Sequence, residues 1–544
     1  MVTGDRRYRY GIALYLLVTL GMTNAASIVV EAQRFVVPIE SVIAEGLSLD
    51  WPRIERFYET QQSRFVWHQA GLLSDQGEKL LRWLASAGLE GLSPGDYHVD
   101  RLRGLSHQAS PDATVIRELL LTDGYLRLAR DLRYGHFDAA ALDPLWQLPT
   151  DDFDPLNALI TALRQGEFEH LLANLSPRSE AYLQLKDALA HYRGIQHRGG
   201  WRTLQVSQIL RPGDHHPAVA ALRARLAMET PAGGEEAAEP MYYDQALAAS
   251  VRHFQRRLGL QDDGAVGPAT RQALNDPVET RIAQIRANLE RWRWLPHELE
   301  QQHLLVNTAG FEITLIDQDR VVFHKRTVNG RQERQTPSFG SRVTHLVVNP
   351  LWTVPRSIAV QDMLPKLQQD PDFLQRLRIR VYRRNGIRWE EVEPAAIDWT
   401  QHHQDNFPFV LKQDAGGGNS LGRIKFHMPN RYQIYLHDTP AQGLFERPNR
   451  AFSSGCVRVE AADQLARLLM RQAGFAAQAW FTKAMRTEDT RIAPLSKPMP
   501  VYLTYFTSWV DRAGEVHFRP DIYQRDSDLL LAMSERVGRM TAQY

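Results

Sequence analysis

A single cysteine, Cys456, stands among 544 residues, so no disulfide can form within the chain. Net charge is also scarce. Lys and Arg total 64 against 63 for Asp and Glu, leaving +1, and no long basic block stands out. That balance argues against a nucleic-acid partner and gives no strong pull toward anionic membranes. Beyond the N-terminus no apolar run approaches the ~20 residues a membrane span requires. Hydrophobic content of 43% and charged content of 23% are those of ordinary globular domains. At ~100–200 residues per domain the length implies about three or four.

The N-terminus carries Arg6, Arg7 and Arg9, an apolar stretch from Gly11 to Met22, and then Thr23-Asn24-Ala25-Ala26-Ser27. A positive start, a short apolar core and small residues read as a signal peptide over residues 1–26, with an uncleaved anchor as the rival. Either reading places the bulk of the chain outside the cytoplasm, with membrane contact only if the segment stays uncleaved. An exported protein usually pairs its cysteines or avoids them, so a lone one is an accident or a reactive thiol. The ordinary fate of a free thiol is that of a small buried apolar residue. Its flanks, Ser453-Ser454-Gly455-Cys456-Val457-Arg458-Val459, together with His437 upstream, point instead to reactivity.

Residues 45–200 show apolar positions at helical spacing, separated by Pro/Gly turns, and read as a helical packing domain without chemistry. Residues 205–277 form a compact unit with amphipathic stretches at Val219–Leu226 and Tyr243–Leu260, closed by Asp263-Gly264-Ala265-Val266-Gly267-Pro268-Ala269-Thr270. From residue 300 to 485 strand-length runs dominate, with a late helix from Ala461 to Gly474, so a β-rich sandwich is expected. The stretch 367–421 interrupts the strands and reads as an inserted subdomain, with Gly416 to Gly418 as its flexible hinge. Residues 490–544 read as a C-terminal extension holding one strand and a final helix.

Cysteine catalysis needs a thiolate, a base to make it and donors for an oxyanion. Cys456 supplies the sulfur and His437 can take its proton. Backbone N–H groups at Gly455 and Cys456 can line an oxyanion hole, and Ser454 can orient the imidazole.

Residues 205–277 resemble the small three-helix peptidoglycan-binding domain, whose closing pattern matches Asp263–Thr270. The segment from His303 to Ala484 resembles the L,D-transpeptidase family. The resemblance rests on Tyr435-Leu436-His437-Asp438-Thr439-Pro440, on Ser454-Gly455-Cys456-Val457-Arg458, on Gln335-Thr336-Pro337 and on Asn349-Pro350-Leu351-Trp352-Thr353-Val354-Pro355. Ser454 stands where the broader family has a histidine, as in its large periplasmic subgroup. That subgroup has the same order of helical scaffold, binding module and inserted capping subdomain. The fold class implied is multidomain α+β.

The resemblance implies Cys456 as nucleophile and His437 as general base, with Gly455, Ser454, Tyr435 and Arg458 in support and Trp352 in the donor pocket. Arg458 can equally pair with a local carboxylate, and Trp352 can equally be core. His427 and His345 read as packing or surface residues, and His402 and His403 as an exposed pair with no third ligand. No metal and no cofactor are expected.

The implied activity is a periplasmic 3→3 crosslinking of peptidoglycan stem peptides through a Cys456 thioester, with loss of D-alanine and sensitivity to carbapenem-type inhibitors. Alternatives are an L,D-carboxypeptidase, an amidase detaching a wall-linked protein, or a non-catalytic peptidoglycan-binding scaffold.

Overall fold

The computed structural model describes residues 49–541 apart from 109, 151, 230–238, 371 and 472–473; the expected export segment, 1–26, lies outside the described residues. Among the described residues no helix is long and apolar enough to cross a membrane.

The first part is helical, and its helices start where the sequence supplies caps. Ser110 accepts the Ala113 N–H ahead of α1 (Pro111–Tyr134), and Ser179 accepts the Tyr182 N–H ahead of α2 (Glu180–His197). These oxygens satisfy amides that a helix's first turn leaves unpaired. α1 is buried on nearly every face. It carries the buried Glu118, which accepts from the Trp67 backbone N–H at 3.1 Å and from the Tyr58 hydroxyl at 3.2 Å.

α3 (Pro217–Ala227), α4 (Gln245–Arg257) and α5 (Pro268–Asn275) make the second unit. Gln255 organises its closing turn. The amide nitrogen donates to the Ala265 carbonyl at 2.9 Å and to Thr270 Oγ1 at 3.1 Å, while its oxygen accepts the Gly264 N–H at 2.8 Å. This unit does not hang on a tether. Its core is continuous with α2, with α6 (Val278–Arg293) and with Phe518 and Leu529 near the C-terminus.

Among the described residues ten strands make the main sheet. They include β1 (Gln302–Asn307), β2 (Glu312–Asp317), β3 (Arg320–Gly330) and β4 (Ser338–Val348). After an insertion come β9 (Ile424–His427), β10 (Leu436–His437), β11 (Ala451–Ser453), β12 (Val457–Val459) and β13 (Arg491–Thr504). The order is β9-β10-β12-β3-β2-β1-β13-β4, with Trp146–Gln147 beyond β4 and β11 against β3. β9 also pairs with β4, so the β-rich sandwich closes on itself. Helices α7 (Ala462–Arg471) and α8 (Phe475–Ala484) pack on its core. The expected catalytic boundary at 485 cuts through this sheet. β13 lies inside it, parallel to β1 and antiparallel to β4, so the expected C-terminal extension begins with one of its interior strands.

The insertion has its own sheet of β5 (Trp352–Thr353), β6 (Ile379–Asn385), β7 (Arg388–Val392) and β8 (Phe409–Gln413), in the order β7-β6-β8-β5. Its core runs from Trp352 to Leu421, so the unit starts upstream of the expected Leu367. The glycine run is not a free hinge. Asn419, 2% exposed, donates to the carbonyls of Asp414 at 2.8 Å and Pro350 at 3.1 Å, and Gln413 donates to Gly418 O at 3.3 Å.

One buried ionic cluster joins the binding unit to the rest. Glu229 accepts from Arg225 at 2.6 Å, and from Arg257 and the Tyr192 hydroxyl at 3.2 Å each. Burial alone would raise its pKa, but Arg225 and Arg257 outweigh it and bring the carboxyl down to about 2. A carboxylate depressed in the folded state stabilises fully above its unfolded pKa, and that stability is lost as pH falls through the folded one. Glu229→Gln should therefore cost ~3–5 kcal/mol, the usual loss when one partner of a buried ion pair is removed. Denaturant titrations should also lose part of their steep pH dependence between about pH 5 and pH 2. A variant as stable as the parent, with the same acid profile, would contradict this account.

Candidate active site

The cysteine loop is built around one backbone conformation. Gly455 adopts φ +111, and a Cβ there would sit 3.0 Å from Ile434 Cδ1. A side chain is thus disfavoured by both strain and space. Short bonds hold the loop on each side. Ser453 Oγ donates to the Cys456 carbonyl at 2.5 Å and accepts the Gly455 N–H at 3.1 Å. Thr336 Oγ1 donates to the Gly455 carbonyl at 2.8 Å, and the Val457 N–H donates to the Tyr435 carbonyl at 3.1 Å. Because the Gly455 amide is engaged by Ser453, the expected two-amide oxyanion hole is reduced to the Cys456 N–H, which bonds no described residue.

The Thr336 segment is braced from the C-terminus. The Tyr523 hydroxyl donates to the Gly330 carbonyl at 2.6 Å, and Arg525 donates to Gln335 Oε1 at 3.0 Å and the Thr336 carbonyl at 3.1 Å. Sequence reading missed this support. Its only signal was the Gln335-Thr336-Pro337 motif, which does not reveal what it packs against.

β10 and β12 run parallel, with Leu436 beside Val457 and His437 beside Arg458. This pairing carries Cys456 and His437 to adjacent strands. Cys456 is partly exposed, while His437 is 4% exposed. No hydrogen bond joins them; the ring Nδ1 faces the Asp438 carbonyl at 2.5 Å. Burial, and then the charge of Arg458, push the imidazole down to about 3. Burial pushes the thiol above its ordinary range. Both shifts favour the neutral forms, an unprotonated imidazole and a protonated thiol.

The support residues divide. Tyr435 lies beside the sulfur and the Trp352 indole, and burial and the neighbouring sulfur raise its hydroxyl's pKa. Trp352 sits in the insertion's core at 9% exposure, on the edge strand β5, and is both core and neighbour of Tyr435. Arg458 has no carboxylate partner among the described residues, and its Nε is buried without a hydrogen bond.

The Ser454 hydroxyl, expected to help orient His437, is engaged elsewhere. Its Oγ accepts from Arg334 at 3.0 Å, and Arg334 and Arg331 bind Asp362 of the insertion at 2.6 and 3.0 Å. The cysteine loop is thereby linked to the cap. His345 and His427 stack at 4.4 Å across β4 and β9. His402 Nδ1 faces the Asn406 carbonyl at 3.2 Å, and His403 caps the turn that follows.

Residues 52–189 match the scaffold domain family, 215–274 the peptidoglycan binding domain family and 301–487 the L,D-transpeptidase catalytic domain family. A Haemophilus influenzae protein provisionally named as an L,D-transpeptidase is 36% identical over 255 residues, 47% of this chain and 50% of the relative. The chain thus spans about half the length of the curated relative it matches. Among solved structures, an L,D-transpeptidase from Xylanimonas cellulosilytica is 15% identical and covers 55% of this chain and 99% of its own, with a TM-score of 0.18. One from Stackebrandtia nassauensis is 11% identical and covers 54% and 94%, with a TM-score of 0.22. Superpositions that poor carry no weight for fold or function. Residues 301–487 thus form a domain of the L,D-transpeptidase catalytic family.

Proposed function

We propose that the chain is an exported enzyme that forms 3→3 crosslinks between peptidoglycan stem peptides, with Cys456 as nucleophile and His437 as its base. The observation that carries this reading is the chain's one thiol, presented on a glycine-dependent loop beside a buried, neutral imidazole. Cys456 Sγ attacks the carbonyl between the third residue of a donor tetrapeptide and its terminal D-alanine, and its proton passes to His437. A thioester forms, the C–N bond breaks, and D-alanine leaves as the amine after taking that proton. An amine from a second stem then attacks the thioester and releases the thiol. The Cys456 N–H is the backbone donor left for the developing oxyanion.

The insertion supports transfer over hydrolysis. Its link through Asp362, Arg334 and Ser454 holds it against the cysteine loop, where it can limit water at the thioester. The binding unit would keep the enzyme on its insoluble polymer. Because that unit shares a core with the scaffold, excising it would disturb more than binding.

Mass spectrometry of muropeptides incubated with the full chain tests the reaction. The expected product is a tripeptide-linked dimer with one D-alanine released per crosslink; free tripeptide alone would make the enzyme a carboxypeptidase. Cys456→Ala should abolish both that product and covalent carbapenem adducts, and an adduct surviving in this variant would remove Cys456 from the mechanism. His437→Ala should slow acylation by roughly 10²–10⁴, the range for a general base. Near-parental rates would assign activation to another group.

The resting protonation state gives a further expectation. Iodoacetamide alkylation of Cys456 in the free enzyme should climb through pH 9 without a plateau near neutrality, since the thiolate is the reactive form and burial disfavours it. A plateau between about pH 6 and 8 would show a preformed thiolate–imidazolium pair instead.

A further inference from the structure

Two cations stand beside the thiol without an acid. Lys425 on β9 lies directly across from His437 on β10, and His437 across from Arg458 on β12. Residues paired in this way share a face of the sheet. Tyr435 and Cys456, each two positions before a member of this row, return to the same face. Lys425 Nζ lies 4.0 Å from the centre of the Tyr435 ring. Among the described residues neither Lys425 nor Arg458 has a carboxylate within 4.0 Å. Asp438, next to His437, is turned away to accept the Arg423 backbone N–H at 2.9 Å.

Four other buried guanidiniums have carboxylate partners, while Arg117 is held by backbone carbonyls and Thr114. Arg225 and Arg257 share Glu229, Arg291 has Asp526 and Arg293 has Glu290. A buried charge without a partner is costly, and burial pulls both Lys425 and Arg458 below their ordinary pKa values. Lys425 is seated on the ring of Tyr435, which lies beside the Cys456 sulfur. A pair of half-buried cations on the face that carries the reactive atom, with no carboxylate partner among the described residues, is suited to an anion supplied from outside.

We propose that Lys425 and Arg458 form a carboxylate-binding subsite that holds a carboxylate of the donor peptide beside the carbonyl attacked by Cys456. This rests on the transpeptidase reading for the identity of the donor. Two carboxylates on such a donor are in range: that of the terminal D-alanine, and any on the side chain of the third residue. Lys425 contributes a point charge seated on Tyr435, whereas Arg458 offers a fork suited to bidentate binding. A bound carboxylate would also fix the scissile carbonyl over the sulfur.

The single thiol permits a test that needs no peptide. The full chain is alkylated with iodoacetate, which carries a carboxylate, and with neutral iodoacetamide. In each case the S–C bond forms, iodide leaves and the thiol proton is lost, so the ratio of the two rates cancels the thiol's own acidity. Relative to a small free thiol at the same pH, the ratio should be raised about tenfold, the low end of electrostatic focusing, and should fall as salt is added. Lys425→Met and Arg458→Met should each return it toward the free-thiol value, and Lys425→Arg should keep most of it. A ratio equal to the free thiol's and unmoved by these variants overturns the subsite. Iodoacetamide rates and thermal melts of each variant identify any that fail to fold.

Donor tetrapeptides then separate the two carboxylates. Amidating the one that is bound should lower kcat/KM for D-alanine release by about tenfold in the parent and little in Lys425→Met. If neither amidation matters, or if Lys425→Met slows acid and amide donors equally, the donor-carboxylate assignment is wrong. If no donor releases D-alanine while the alkylation ratio behaves as expected, the transpeptidase reading fails and the anion subsite stands.

Discussion

The positive φ of Gly455 is the constraint on which the site depends. It turns the chain so that Ser453 can hold both the Gly455 N–H and the Cys456 carbonyl, leaving the sulfur at the surface of the loop. The turn is secured from outside by Thr336, and Thr336 in turn by Tyr523 and Arg525. The path from the thiol to the C-terminal segment is therefore a chain of hydrogen bonds. Their members are largely buried, where a lost partner costs more than at the surface.

Electrostatics on this face run against ready ionisation. Burial lowers the pKa of the imidazole and raises that of the thiol, while Lys425 and Arg458 bring positive charge to the same row of strands. A thiolate or an incoming anion would relieve those cations. The site in its empty form therefore favours the arrival of negative charge over its prior presence, which limits adventitious reaction of an exposed-side thiol.

The domains are fused in ways that bear on how they work together. The last scaffold helix α2, the binding unit and the C-terminal segment share one apolar core, stitched by the Glu229 cluster, while the earlier scaffold helices keep a core of their own. The cap keeps its own core but is bound to the cysteine loop through Asp362 and Arg334. Motion of the cap would change the contacts of Ser454, two residues from the sulfur.

Much of this was legible in the order of residues. Helical spacing, caps and strand-length runs placed the helical part, the binding unit and the β-rich part, because local periodicity reports which face is buried. The lone Cys456 with Gly455 before it, and His437 upstream, marked the candidate site, because a reactive thiol needs residue types that stand out in a sequence. What the sequence could not disclose was partnership. β13 reads as a tail strand, yet it enters the sheet between β1 and β4, since strand pairing is set by long-range register and not by position in the chain. Ser454 was placed beside the histidine but bonds Arg334, and the glycine run read as a hinge is tied by Asn419. Lys425 drew no notice in sequence, because a lysine on a strand is ordinarily solvated. Only the pairing of β9 with β10 sets it across from His437, with no carboxylate partner among the described residues.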